Sequence, residues 1–190
     1  LPNYHKERDF KNLINCSMMG GNYESYIIDD LFNDEEIENT PTRYQGFLEE
    51  WAGNDNVKFT SFENPGYDQL IILKEIDFSS LCSHHVLPFH GRAHIGYLPG
   101  ERICGISKLA RVVDKFASRP QIQEKMTNEI ADFLEENLKP RGCIVVIEAS
   151  HDCMRIRGVK KPSSCMITSA LKGEFLTNPS LKSEFMQLIS

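Results

Sequence analysis

Apolar and polar positions follow two different regimes along this chain. The opening segment has no clear period and reads as an arm, after which Ile27, Ile28, Leu31 and Phe32 are spaced for a short helix. Thr40-Pro41 offers a cap with proline in the first turn, and Tyr44, Phe47, Leu48 and Trp51 follow at helical spacing. That aromatic stripe reads as core. A Gly/Asn/Asp-containing stretch over residues 53–67 then closes an acidic N-terminal region, 1–66, ahead of a more regular region, 67–190. There the pattern predicts a strand over Gln69–Ser79. A second runs over Phe89–Tyr97, where Phe89, Ala93, Ile95 and Tyr97 alternate with His90, Arg92 and His94. Leu98-Pro99-Gly100-Glu101 is a turn, and Ser107 is a candidate N-cap for a helix with Leu109, Val112, Val113 and Phe116 on one face. A further helix starts near Pro120, carries Ile122, Met126, Ile130, Phe133, Leu134 and Leu138, and stops at Pro140-Arg141-Gly142. Cys143–Ala149 reads as an apolar strand running on past His151, and Met166–Leu171 as another. Asn178-Pro179 caps a last helix with Leu181, Phe185, Leu188 and Ile189 on one face. Paired strands, two helices and paired strands again predict an α+β domain with an antiparallel sheet.

Composition narrows the class. The chain has 190 residues, 41% hydrophobic and 25% charged, which describes one ordinary globular domain with an extra segment. No apolar run approaches the ~20 residues of a membrane span, so no membrane partner is expected. Leu1-Pro2-Asn3-Tyr4-His5-Lys6 does not resemble a secretory signal, which predicts a cytoplasmic protein. With 21 Lys+Arg against 27 Asp+Glu the net charge is −6, which argues against nucleic acid as a partner. An anionic ligand would need a local basic cluster. The six cysteines, without an export signal, read first as buried thiols.

Four segments carry chemistry beyond that background. Cys82-Ser83-His84-His85 puts a thiol and imidazoles on a bend between two strands, where they could share a metal or simply be surface histidines. His151 and Cys153, if the strand continues, face the same way. They could be satisfied structural residues, or Cys153 could form a disulfide with Cys82. Taken together, Cys82, His85 and Cys153 offer three ligands and an open fourth position, as in a catalytic zinc site. His84 and His151 remain for proton transfer. Lys108 and Arg111 lie one helical turn apart near a helix start, suited to an anion or to solvent. Arg155 and Arg157 would continue the His151/Cys153 side, with Arg157 roughly 13 Å beyond Cys153 if the chain stays extended. Glu124, in Gln121-Ile122-Gln123-Glu124, sits in a first helical turn, where an acid commonly stabilises the dipole.

Those motifs in combination resemble the GTP cyclohydrolase I family. Cys82-Ser83-His84-His85, the run Gly105-Ile106-Ser107-Lys108-Leu109-Ala110-Arg111, Arg119-Pro120-Gln121-Ile122-Gln123-Glu124 and the run from His151 to Gly158 occur in the family's order and spacing, from about Cys82 to the C-terminus. The resemblance implies a tunnelling fold (T-fold) whose subunits join sheets into a barrel, typically a homodecamer of two stacked pentamers with shared active sites. It implies conversion of GTP and water into 7,8-dihydroneopterin triphosphate and formate, the entry to folate or tetrahydrobiopterin synthesis. Carried over by position, Cys82, His85 and Cys153 would hold Zn2+, and His84 and His151 would be catalytic. Gln123 and Glu124 would contact guanine, and Ser107, Lys108, Arg111 and Arg157 the triphosphate.

Overall fold

The computed structural model describes residues 33–52 and 57–190, so the arm and short helix expected before Asn33 lie outside the described residues. The chain divides into two compact units, Leu1–Gly53 and Asn54–Ser190.

The described part of the first unit is helix α1, Asp34–Trp51. It starts well before the Thr40-Pro41 cap that the sequence suggests. Asn33 and Glu36 form a reciprocal capping box, with Glu36 N–H donating to Asn33 Oδ1 at 3.0 Å and Asn33 N–H to Glu36 Oε2 at 2.9 Å. Asp34, Glu35 and Glu36 place negative charge on the first turn. This terminus outcompetes the later one, and Pro41 is accommodated inside the helix. The aromatic stripe is not fully buried: Phe47 is 43% exposed and stacks on Trp51 with centroids 6.2 Å apart.

The second unit is built on a sheet. Strands β2 (Ile71–Cys82), β3 (Pro88–Leu98), β6 (Gly142–His151) and β7 (Met166–Gly173) run antiparallel, with the short β5 (Pro120–Gln121) added parallel to the end of β2. Their order is β5-β2-β3-β6-β7, so the predicted antiparallel sheet of an α+β domain is present. A small ribbon of β1 (Ser61–Glu63) and β4 (Arg102–Cys104) lies apart from it. Helices α2 (Ile106–Ala117) and α3 (Gln123–Leu138) connect β4 to β6 and cover one face of the sheet. Phe89, Ala93, Ile95 and Tyr97 of β3 form the core there with Leu109, Val112 and Val113 of α2 and Met126, Ile130 and Leu134 of α3. The period-2 pattern of β3 maps onto burial only in its first half, because Ala93–Leu98 are all buried and His94, read as a polar position, is 4% exposed and hydrogen-bonded to Glu148. β6 is different, because both its faces are covered and Cys143–Ile147 are all buried, which explains its unbroken apolar run.

The second face is covered by a short turn α5 (Glu174–Thr177) and helix α6 (Pro179–Ile189), whose Leu181 and Phe185 pack on Leu98, Ile144 and Val146. Asn178 caps α6 as expected, accepting from the Ser180 and Leu181 N–H groups at 3.1 and 3.4 Å. Gly96 permits that packing, since a Cβ there would sit 2.6 Å from the Phe185 ring.

Two further expectations are corrected. Helix α2 is capped by Gly105, with Ser107 already inside the first turn and no side-chain cap bond. Strand β6 does not run past His151. The chain closes at once into a helical turn, α4 (Asp152–Arg155), with Ile156 N–H donating to Asp152 O at 3.1 Å and Arg155 paired to Asp152 at 3.6 Å.

Candidate active site

The bend after β2 is built by its own backbone. Cys82 N–H donates to Leu87 O at 2.8 Å, and Cys82 O accepts from Val86 N–H at 2.8 Å and from His85 N–H at 3.3 Å. Ser83 N–H donates to Gln121 O at 2.9 Å, tying the bend to β5. Val86 takes a left-handed φ of 53°, a conformation a β-branched residue avoids unless its surroundings impose it. The result swings both imidazoles back over the thiol, with His84 Nδ1 3.8 Å and His85 Nδ1 3.9 Å from Cys82 Sγ.

Across the sheet, β3 and β6 bring the second half of the site. Phe89 is the register partner of His151, and α4 then turns Cys153 toward the bend. The same-face strand argument for His151 and Cys153 does not hold, and neither does the extended reach to Arg157, because α4 is helical. The ligand atoms of Cys82, His85 and Cys153 nevertheless all lie within 4.8 Å of one another. His84, although equally near Cys82, is not in that group. Cys82 and Cys153 are both free thiols, so the disulfide alternative is not realised. Around a tetrahedral ion with zinc-type bonds, two sulfurs stand roughly 3.8 Å apart, so these donors are almost in place. Two thiols and one imidazole form a soft set that suits zinc, and three protein ligands leave a position open.

The electrostatics are local. Burial pushes the Cys153 thiol up, the adjacent Cys82 adds to that, and the Arg157 guanidinium opposes it. Arg157 is thus close enough for its charge to act on the thiol. Burial lowers the pKa of His151, and the Glu124 carboxylate opposes the shift.

Cys82, Cys153, His151 and Glu124 line one cavity of about 490 Å³. Cys82, His84 and His85 come from the bend, Gln121 to Glu124 from β5 and the start of α3, and His151, Cys153 and Met166 from β6, α4 and β7. Ser107, Lys108, Arg111 and Arg157 are not among its lining residues. Lys108 Nζ donates to Lys58 O at 3.0 Å instead. The Gln123 carboxamide turns inward, with its oxygen 2.7 Å from His151 Nε2. Sequence reasoning did not single out Phe89, Gln121 or Cys165 at this site. Phe89 stacks on His151 at 4.6 Å, and only the β3–β6 register reveals it. Gln121 anchors the bend through its backbone, and its buried Oε1 has no partner among the described residues. Cys165 is an exposed thiol on the cavity wall.

Two thiols and an imidazole that could hold a metal ion, set in an α+β sheet domain beside further histidines and a carboxylate, point to the class of metal-dependent enzymes. The family model described as GTP cyclohydrolase I matches residues 25–190, beginning well before the motif-bearing part of the chain. The chain belongs to the GTP cyclohydrolase I family. It is 46% identical over 159 residues to GTP cyclohydrolase 1 of Sulfurihydrogenibium sp. (strain YO3AOP1), covering 83% of this chain and 85% of that protein. It is 47% identical over 156 residues to GTP cyclohydrolase 1 of Aquifex aeolicus (strain VF5), covering 82% and 85%. With GTP cyclohydrolase 1 of Mycobacterium tuberculosis (strain ATCC 25618 / H37Rv) the identity is 48% over 157 residues, covering 79% and 77%.

Proposed function

We propose that this enzyme converts GTP and water into 7,8-dihydroneopterin triphosphate and formate, using one zinc ion held by Cys82, His85 and Cys153. The observation that carries the reading is the convergence of those three ligand atoms within 4.8 Å, on a cavity that Glu124 and His151 also line. Zinc bound there supplies a Lewis acid that makes water a nucleophile at neutral pH.

The chain's own residues do the rest. The Glu124 carboxylate accepts from guanine N1–H and the 2-amino group together, orienting the base so that C8 meets the attacking water. His151, with Nε2–H given to Gln123, offers Nδ1 to take the proton of the attacking water. It returns that proton to N7 as the imidazole ring of the purine opens. A second hydrolysis releases formate. His84, on the bend, handles the proton of ribose opening and of the rearrangement before ring closure. Any guanine contact from Gln123 falls to its backbone N–H, which has no intrahelical acceptor at the first position of α3.

Ser107, Lys108, Arg111 and Arg157 are assigned to the triphosphate, which an acidic chain must hold by a local cluster. That the first three do not line their own subunit's cavity supports a site completed by a neighbouring copy. The sheet has edges for such an assembly. Among the described residues β7 has no outer strand partner, and β2 pairs on its outer side only at Leu81 and Cys82. A T-fold barrel of joined sheets, a homodecamer with shared sites, uses both edges. Residues 67–190 are assigned as the catalytic region of each subunit. A cytoplasmic setting accords with the free thiols Cys82, Cys104, Cys143, Cys153 and Cys165. No helix among the described residues is long and apolar enough to cross a membrane.

Two substitutions test the substrate assignment, read by formate release and by fluorescence of the oxidised pterin. Glu124→Gln loses the paired acceptor, and the preference for GTP over ATP falls roughly 100-fold. Unchanged discrimination removes Glu124 from the guanine contact. Lys108→Ala raises KM for GTP about tenfold with kcat within about threefold, the signature of lost uniform binding. An unchanged KM removes Lys108 from the triphosphate site.

A further inference from the structure

The ring of His151 is held on two sides. Phe89 stacks on one face, centroids 4.6 Å apart and planes 2° from parallel, and Gln123 Oε1 meets Nε2 at 2.7 Å. Gln123 is itself 1% exposed and fully engaged. Its Nε2 donates to Ile147 O at 3.1 Å, Met166 O at 3.0 Å and Thr168 Oγ1 at 3.1 Å, two hydrogens shared among three acceptors. The direction of that network is set by its far end. Thr127 Oγ1 donates to Gln123 O at 2.7 Å, so its remaining role toward Thr168 Oγ1, 2.7 Å away, is to accept. Thr168 thereby gives its hydrogen to Thr127 and must accept from Gln123. The nitrogen of the carboxamide is pinned to β6 and β7, and the oxygen is left facing His151. An amide oxygen cannot donate. The hydrogen between them therefore belongs to His151 Nε2, and in the neutral imidazole Nδ1 is the ring's acceptor.

From this network we infer that Gln123 is a positioning residue for His151. It sets the ring's rotation and its tautomer through the chain Thr127–Thr168–Gln123, rather than reading the guanine with its side chain. The inference rests on the proton-transfer role proposed for His151. Its chemical logic is that a base offering Nδ1 to the cavity must have its other nitrogen occupied by a fixed acceptor.

The test compares Gln123→Met, which keeps length but removes the acceptor, with Gln123→Glu, which keeps an oxygen but loses the two donated hydrogens. With GTP as substrate, Gln123→Met lowers kcat about 100-fold. Its KM stays within about threefold and its zinc content matches wild type. In a His151→Ala background the same change lowers kcat no further, as expected for residues acting as one unit. Gln123→Glu recovers about tenfold of the loss, although it leaves Ile147 O and Met166 O without their donor. Solid-state 15N spectra of histidine-labelled protein, differenced against His151→Ala, show the wild-type ring protonated at Nε2 and a mixture in Gln123→Met. A rise in KM with kcat retained would assign the side chain to the base and overturn the inference. Equal losses in the Met and Glu variants, or a further loss without His151, would reduce Gln123 to packing. An Nδ1-protonated ring in wild type also overturns it. A wild-type protein with the Nε2–H ring but no formate release from GTP overturns the functional reading alone.

Discussion

Cys153→Ser protein is expected to purify with less than about a tenth of the wild-type zinc and to release formate from GTP at least about 1,000-fold more slowly. A serine hydroxyl stays protonated at neutral pH and is a poor partner for a soft dication, so the ligand set drops from three to two. The fold is expected to survive. Cys153 is only partly buried, its substitution changes one atom, and α4 is closed by backbone bonds and the Asp152–Arg155 pair. A parallel metal analysis and formate assay on the same sample decide the matter. Full zinc with full turnover would remove Cys153 from the site, and full zinc without turnover would make it something other than a ligand.

His151→Ala is expected to separate metal from chemistry in the opposite way. Zinc content remains at the wild-type level, because His151 is not among the three converging ligand atoms. Turnover falls roughly 1,000- to 10,000-fold, the range expected when a positioned acid–base group is removed. The Phe89 ring loses its stacking partner, which lowers the unfolding midpoint by a few degrees, roughly 1 kcal/mol in a pair of this kind. Normal formate release by a zinc-loaded His151→Ala protein would discard the proton-transfer role. Normal KM with depressed kcat would place the loss in the chemical step rather than in binding.

How much of this was legible in the chain differs from element to element. The strand β7, the first half of β3 and the last helix were readable because their burial follows a local period or their ends carry local signals such as Asn178-Pro179, whereas His94 is buried because β3 is covered on both faces there. The start of α1 was misread because two caps compete within a few residues. The capping box at Asn33 and Glu36 satisfies two backbone donors, which Thr40-Pro41 cannot match. The end of β6 was misread because a strand and a single helical turn look alike in a short polar stretch. Asp152 and Arg155 stabilise the turn by a pairing that makes sense only once the chain has folded.

The metal ligands show the same division. The sequence named Cys82, His85 and Cys153 from the two motif segments read together and from their resemblance to the family. His84 and His85 are equally close to Cys82, and the structure groups His85, the histidine named from the sequence, with Cys82 and Cys153 within 4.8 Å. Local period and cap chemistry were enough to indicate an α+β domain, because they are properties of short segments, while the GTP-directed chemistry was indicated by the resemblance of the four motifs, in order and spacing, to a family. Tertiary structure alone decided that the Gln123 carboxamide faces inward with its oxygen 2.7 Å from His151 Nε2, and that Ser107, Lys108 and Arg111 do not line the cavity. The first outcome depends on hydrogen bonds from the start of α3 to strand residues more than twenty positions away, and a one-residue change in the β3–β6 register would turn His151 to the opposite face of the sheet.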